Sequence, residues 1–329
     1  MVVLVVISHA SYYSIITNYG GIYYGKEMIA QGVSDTFFHR ISMNITLLIY
    51  GFHMPAFIVL SGYLFGKQLQ SGRFMDVKEL FLNKFKRLIL PLLFVWFCWN
   101  VPIKYISGYY DGYNVLRSSI VQLVNPDHVY LWYVEALFFS YFIVYYVKKI
   151  TNGRIQFLVC FGFWIIGIAI RQAGYQFLGN PALYALWLWL GTNFDKIWER
   201  KTNDLVLTIV YFLSWLLCKR YAILWIINDT VLPVIGIKLL HDTCSAIYKR
   251  TKNQKITEYL STYAFGIYLY AEPLNYLFLF LFVNTFGISA FGSEIGAMSL
   301  YLSRLIITPF ISIILCIILR KIKFLIAAY

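Results

Sequence analysis

Apolar runs of about 15 to 23 residues recur from one end of this chain to the other, and nothing else in it restricts the fold so strongly. A backbone inside a bilayer must satisfy its own N–H and C=O groups, so such runs span either as helices or as strands of a closed barrel. Barrel strands alternate lipid-facing apolar residues with inward polar ones, and these runs do not alternate. With 60% hydrophobic and 13% charged residues among 329, the chain has too little polar surface to coat a water-soluble domain of its size. The expected fold is an all-α, polytopic helical bundle of about ten spans in the cell membrane, one domain over 1–329 with lipid around it.

The runs predict spans over 1–17, 44–65, 88–103, 129–147, 155–170, 175–193, 205–218, 230–248, 262–283 and 300–319. The eighth is the least determined; 221–240 is its alternative, and the placement chosen leaves KRYAILWIIND as a loop dipping into the interface. The loops after spans two, four, six and eight, with the C-terminal tail, hold nineteen Lys and Arg, against seven in the opposite loops. Positive charge stays in the cytoplasm, so both termini are predicted there. The net charge of +13 thereby reports topology and gives no support to nucleic-acid binding. Five scattered cysteines share no metal-ligand spacing, so neither a zinc site nor a disulfide framework is expected.

A few polar residues interrupt the apolar runs, and a chargeable group at bilayer depth is normally retained for a role inside the bundle. His9 stands in the first span. The second span, GFHMPAFIVLSGYLFGK, carries His53 and Pro55 in its outer half and the small pair Ser61 and Gly62 towards the cytoplasm. Small residues there admit either a ligand or a neighbouring helix close to the backbone, and His53 fits an interfacial position. In KELFLNKFKRLILPLL, Lys84, Lys86 and Arg87 precede the third span, either as anchors on lipid phosphates or as a dock for an anionic ligand. Glu135 lies about two turns into the fourth run with no obvious partner, which makes it a functional candidate. Glu272 and Arg304, in the last two spans, are expected to neutralise each other as a structural pair.

Taken together, VVISHA, HMPAFIVLSGYLFGK, KFKRLILP, LWYVEALF and STYAFGIYLYAEP, in that order, resemble the acyltransferase family 3 membrane proteins over nearly the whole chain. The resemblance implies transfer of an acyl group, most often acetyl, from acetyl-CoA as co-substrate to a hydroxyl of a cell-surface or lipid-linked carbohydrate, with no tightly bound cofactor or metal. It assigns His9 as the essential histidine, links Lys84 and Arg87 with Ser61, Gly62 and Tyr63 to the acyl donor, and matches Trp132 to an aromatic of the fourth span. Glu135 joins His9 as a catalytic candidate, while His53, Trp132, Glu272 and Arg304 are assigned to the acceptor or to structure.

Three positions depart from the family pattern. An arginine with ten residues between it and the histidine would fall before Met1, which with the short first span suggests a truncated start. Lys84 replaces the first arginine of a pair, keeping charge without the bidentate fork, and Ala271 stands where many members have a histidine. Chemically, an imidazole with an ordinary pKa near 6.5 can take a proton from an attacking hydroxyl, or can carry the acyl group itself. Two rival functions remain on the sequence: a non-catalytic transporter or flippase for a lipid-linked glycan, and an inactive family member.

Overall fold

A computed structural model describes residues 1–11, 14–124, 130–198, 202–221, 225–250 and 255–319. The chain begins with α1 (Val2–His9), a hairpin of β1 (Ser14–Thr17) and β2 (Gly20–Tyr23), α2 (Gly25–Ala30), α3 (Phe37–Tyr50) and α4 (His53–Gln70). The third predicted span is built from α5 (Val77–Lys84), α6 (Leu90–Val95) and α7 (Val101–Ile106), joined by π turns. Then come α8 (Val115–Val124), α9 (Trp132–Val147), α10 (Gly153–Gln172), α11 (Gln176–Thr192), α12 (Phe194–Trp198), α13 (Asp204–Arg220), α14 (Trp225–Arg250), α15 (Lys255–Phe286) and α16 (Glu294–Leu319). Helix starts follow local chemistry: the Asn152 side chain accepts from the amides of Arg154 and Ile155 to cap α10, and Asn203 does the same for α13.

Helix covers most of the described residues of each predicted span after the first, so the fold is that of a multi-pass helical membrane protein. The expected number ten is not reproduced by length. Among the described residues, six stretches are long and apolar enough to cross: Phe37–Gln70, Val77–Ile106, Gly153–Gln172, Asp229–Arg250, Thr257–Phe286 and Glu294–Leu319. At 16 residues α9 lies just below, and at 17 residues α11 and α13 lie at the bottom of, the ~17–25-residue range of spanning helices. The interfacial loop predicted at 219–229 is also corrected: α13 continues to Arg220 and α14 begins at Trp225, while 222–224 lie outside the described residues.

The first span differs most from expectation. Its helix is only 8 residues long and ends at His9, and residues 14–17 of the run form the first strand of the hairpin, with Ile15 opposite Ile22 and Thr17 opposite Gly20. Ile15, Ile16 and Thr17 are β-branched and favour extended backbone. Gly20, at φ 145°, closes the turn in a conformation that side chains disfavour, and the hairpin is pinned by the Gly21 amide donating to the Tyr109 carbonyl at 2.8 Å.

The chain forms two compact units. One holds Met1, Leu48–Asn83 and Glu135–Tyr259; the other holds Val2–Leu47, Lys84–Val134 and Leu260–Tyr329. In the first unit α11 packs on α4 and α10, and α14 on α4 and α13. The α4–α11 contact is set by glycine: a Cβ on Gly62 would meet the Leu188 carbonyl oxygen at 2.1 Å, and one on Gly191 the Val59 oxygen at 2.1 Å. Gly66, four residues along α4, lies against Thr192, where a Cβ would fall 3.0 Å from its Cα, so the pattern is that of small residues letting two backbones touch. Backbone atoms cannot step aside as a flexible side chain can. Gly62→Leu is therefore expected to cost more than the ~1–3 kcal/mol of ordinary overpacking and to lower the thermal midpoint of the detergent-purified protein by well over what Leu64→Ala, on an exposed position, produces.

In the second unit, two prolines shape the third span. Pro91 and Pro102 have no N–H to offer the carbonyls of Arg87 and Cys98, and each of those residues sits in a π turn, Phe85–Ile89 or Trp96–Asn100. In α15, Pro273 likewise frees the Leu269 carbonyl, which accepts instead from the Tyr130 hydroxyl at 2.6 Å. The N-terminus of α3 is capped from α16, where Glu294 accepts from the amides of Phe37 and Phe38.

Candidate active site

His9 is the last residue of α1, and the open carbonyls of that final turn recruit their own partners. The Tyr301 hydroxyl donates to the Ile7 carbonyl at 3.3 Å, and Arg304 donates to that of Ala10 at 3.2 Å. Ser11 reaches back to the Ser8 carbonyl at 2.8 Å and meets Thr46 at 2.9 Å. A fully buried guanidinium at the C-terminal end of a helix also suits the negative end of its dipole. These contacts hold the imidazole in place by the backbone on which it stands.

Facing it is Glu272, one residue before the Pro273 break in α15. Its Oε1 lies 4.0 Å from His9 Nδ1 and accepts from the Tyr276 hydroxyl one turn on at 2.8 Å. Arg304 donates at 2.9 Å to the carbonyl of Asn275 on the same helix, so one side chain ties α15 to the end of α1. Arg304 lies within electrostatic reach of Glu272, as the expected pair requires, and also donates to two backbone carbonyls, while the carboxylate faces His9 as well.

Beside them is a residue that charge counting had assigned to an outer loop. Lys104, in the last turn of α7, is fully buried, with its ammonium 4.4 Å from the ring centroid of Tyr109, 4.9 Å from Trp96 and 5.5 Å from Tyr276. Three ring faces and a carboxylate within electrostatic reach, Glu272, replace the water it has lost. Tyr109 is fixed in turn, its hydroxyl 3.0 Å from Thr17 Oγ1 and accepting from Gln122 at 3.0 Å. Burial pushes the Tyr109 phenol up to about 12, so it remains a neutral hydrogen-bonding wall. The short hairpin and α8, neither of them predicted, therefore serve to close this cluster. The sequence signal for Lys104 was its place one residue beyond a predicted apolar run and among aromatics, in WFCWNVPIKYISGYY.

The remaining predicted residues divide between the units. Lys84, buried at the end of α5, and Arg87, half-buried in the first π turn, belong with His9, Glu272 and Arg304 in the second unit, as does Trp132. The Trp132 ring meets Tyr133 at 6.5 Å, and Tyr133 meets Tyr268 at 5.6 Å. Ser61, Gly62, Tyr63, His53 and Glu135 fall in the first unit. Of the two sequence readings of Gly62, close helix approach is the one whose geometry is present. Tyr63 packs on Phe194 at 5.4 Å, with Lys67 5.2 Å above its ring. His53 is buried, with Nδ1 3.2 Å from the Ile49 carbonyl and its ring edge-on to Tyr50. Glu135 is buried as well. Among the described residues no His, Cys, Asp and Glu group has the makings of a metal site.

The decisive comparison covers nearly the whole chain: residues 1–321 match the acyltransferase domain of acyltransferase family 3. The chain belongs to this family. None of the curated proteins or solved structures searched matches it. In the His9–Glu272 arrangement, Nδ1 of the imidazole faces the carboxylate at 4.0 Å.

Proposed function

We propose that the chain moves an acyl group, acetyl in the first instance, from acyl-CoA to a hydroxyl of a cell-surface or lipid-linked carbohydrate, with the plasma membrane as its site of action. The observation that carries this reading is the half-buried His9 facing the buried carboxylate of Glu272 in a chain of acyltransferase family 3. His9 Nε2 takes the proton of the acceptor hydroxyl as its oxygen attacks the thioester carbonyl carbon. The O–C bond forms, the C–S bond breaks, and the proton passes from the imidazolium to the departing thiolate. Glu272, with Nδ1 of His9 before it, stabilises the transient imidazolium, and Tyr276 fixes the carboxylate. Glu135 is given no part in this step.

Charge-derived topology puts the donor at the cytoplasmic mouth, with both termini on that side. Lys84 and Arg87 directly precede the apolar run 88–103, and the guanidinium is suited to fork a phosphate of CoA. A charge-assisted contact is worth roughly 1.5–3 kcal/mol, so Arg87→Ala is expected to weaken acetyl-CoA binding about ten- to a hundredfold and to leave glycan binding unchanged. Lys148→Ala on the same assay controls for loss of positive charge; equal losses in both variants would remove the defined phosphate site. The function itself is tested with purified protein in nanodiscs, radiolabelled acetyl-CoA and surface polysaccharide from the host cell. Label in alkali-labile ester on the glycan is the expected result, and label that stays on CoA with every glycan offered would refute it.

A further inference from the structure

The first unit carries a polar cavity that the transfer chemistry leaves unused. Its volume is about 220 Å³, and it is lined by Ile168, Arg171, Gln172, Gln176, Leu183 and Asp229. Arg171 and Gln172 end α10, Gln176 begins α11, and Asp229 lies near the start of α14. On the charge-derived topology, these helix ends face away from the cytoplasm.

The cavity has a built wall. A Cβ on Gly179 would fall 2.6 Å from Cγ of Arg171, so the guanidinium stem lies where α11 has no side chain. A Cβ on Gly167 would fall 2.4 Å from the Leu183 nitrogen, which keeps α10 and α11 in contact beneath the opening. Tyr184, buried on α11, lies within electrostatic reach of both Arg171 and Asp229.

The lining has a particular chemistry. Two primary amides can each donate and accept, the carboxylate accepts, the guanidinium donates, and Ile168 and Leu183 supply aliphatic surface. One positive and one negative side chain give no bias towards an ion. The space is below the ~300–1,000 Å³ of sites for drug-sized ligands. Vicinal hydroxyls on one edge and C–H groups on a face are what a pyranose presents to such a lining. We infer that this cavity is the docking subsite for one pyranose residue of the acceptor. The inference rests on the carbohydrate acceptor proposed above.

Binding is measured without acyl donor, so that it stands apart from transfer. The full chain in nanodiscs is examined by saturation-transfer NMR with glucose, galactose and N-acetylglucosamine. At least one should bind with a Kd of the order of 1 mM, about −4 kcal/mol. Gln172→Ala and Gln176→Ala, at exposed and half-buried positions, should each weaken it about fivefold, the worth of one hydrogen bond, and Asp229→Asn should weaken it at least as much. No sugar binding at 20-fold that concentration would overturn the inference, as would binding that ignores both glutamine substitutions or is displaced by millimolar inorganic phosphate. If sugar binds here but no ester forms on any glycan, the transfer reading fails and the subsite stands; if ester forms and these variants transfer normally at limiting glycan, the subsite fails and the transfer reading stands.

Discussion

His9→Ala is expected to lower acyl transfer by about 10²–10⁴-fold, the range that a positioned general base contributes. Nothing else in the cluster replaces it: Glu272 is committed to Tyr276, and the ammonium of Lys104 is enclosed by three rings. Insertion should be unaffected, because an apolar residue is favoured over an imidazole at bilayer depth. The carbonyls that Arg304 and Tyr301 grip belong to Ala10 and Ile7, so the turn keeps its ties without the ring. Expression in the membrane fraction, acetyl-CoA affinity and transfer rate are measured on one preparation. His53→Ala, which removes a ring bonded to its neighbouring carbonyl in the other unit, should change the rate far less. A His9→Ala protein transferring at the native rate would make the histidine structural and remove the proposed mechanism.

The sequence revealed the membrane class because apolar run length is a property of single segments and needs no knowledge of neighbours. It could not reveal where the first helix stops. Ile15, Ile16 and Thr17 are as apolar as a span requires and as β-branched as a strand prefers, and the choice depends on Tyr109, roughly ninety residues on, accepting a bond from Gly21. Helix ends elsewhere moved outwards because polar caps such as Asn152 and Asn203, rather than the limits of the apolar run, set them.

Site chemistry was legible as residue types more than as pairs. His9, Glu272 and Arg304 stand out individually because polar groups inside apolar runs are costly, but which of them meet depends on helix rotation. A helix apolar on every side carries no periodic signal of that rotation. Lys104 was hidden by the rule that made topology readable, since counting it with a loop gave it water it does not have. Pro273 marked a break in α15, yet the hydroxyl that answers it, on Tyr130, comes from a distant part of the chain.

Glu272→Gln separates catalytic from structural roles in this cluster. The amide keeps the size and can still accept from Tyr276, but it gives the imidazolium no charge to face. Replacing the carboxylate of a serine-protease triad by an amide costs about 10⁴ in kcat. Here Oε1 and Nδ1 are 4.0 Å apart, looser than a hydrogen bond, so a loss nearer 10²-fold is expected, with acetyl-CoA affinity preserved. Stability should fall as well. Lys104 and Arg304 both lie within reach of the carboxylate, and breaking a buried pair by neutralising one partner costs about 3–5 kcal/mol because the other charge stays behind. The double variant Glu272→Gln/Lys104→Met removes that stranded charge and should recover most of the lost thermal midpoint. Activity should not return with it, since His9 still lacks its carboxylate. Transfer that recovers in step with the midpoint would show that Glu272 serves only to neutralise Lys104, and His9 would then act without an orienting partner.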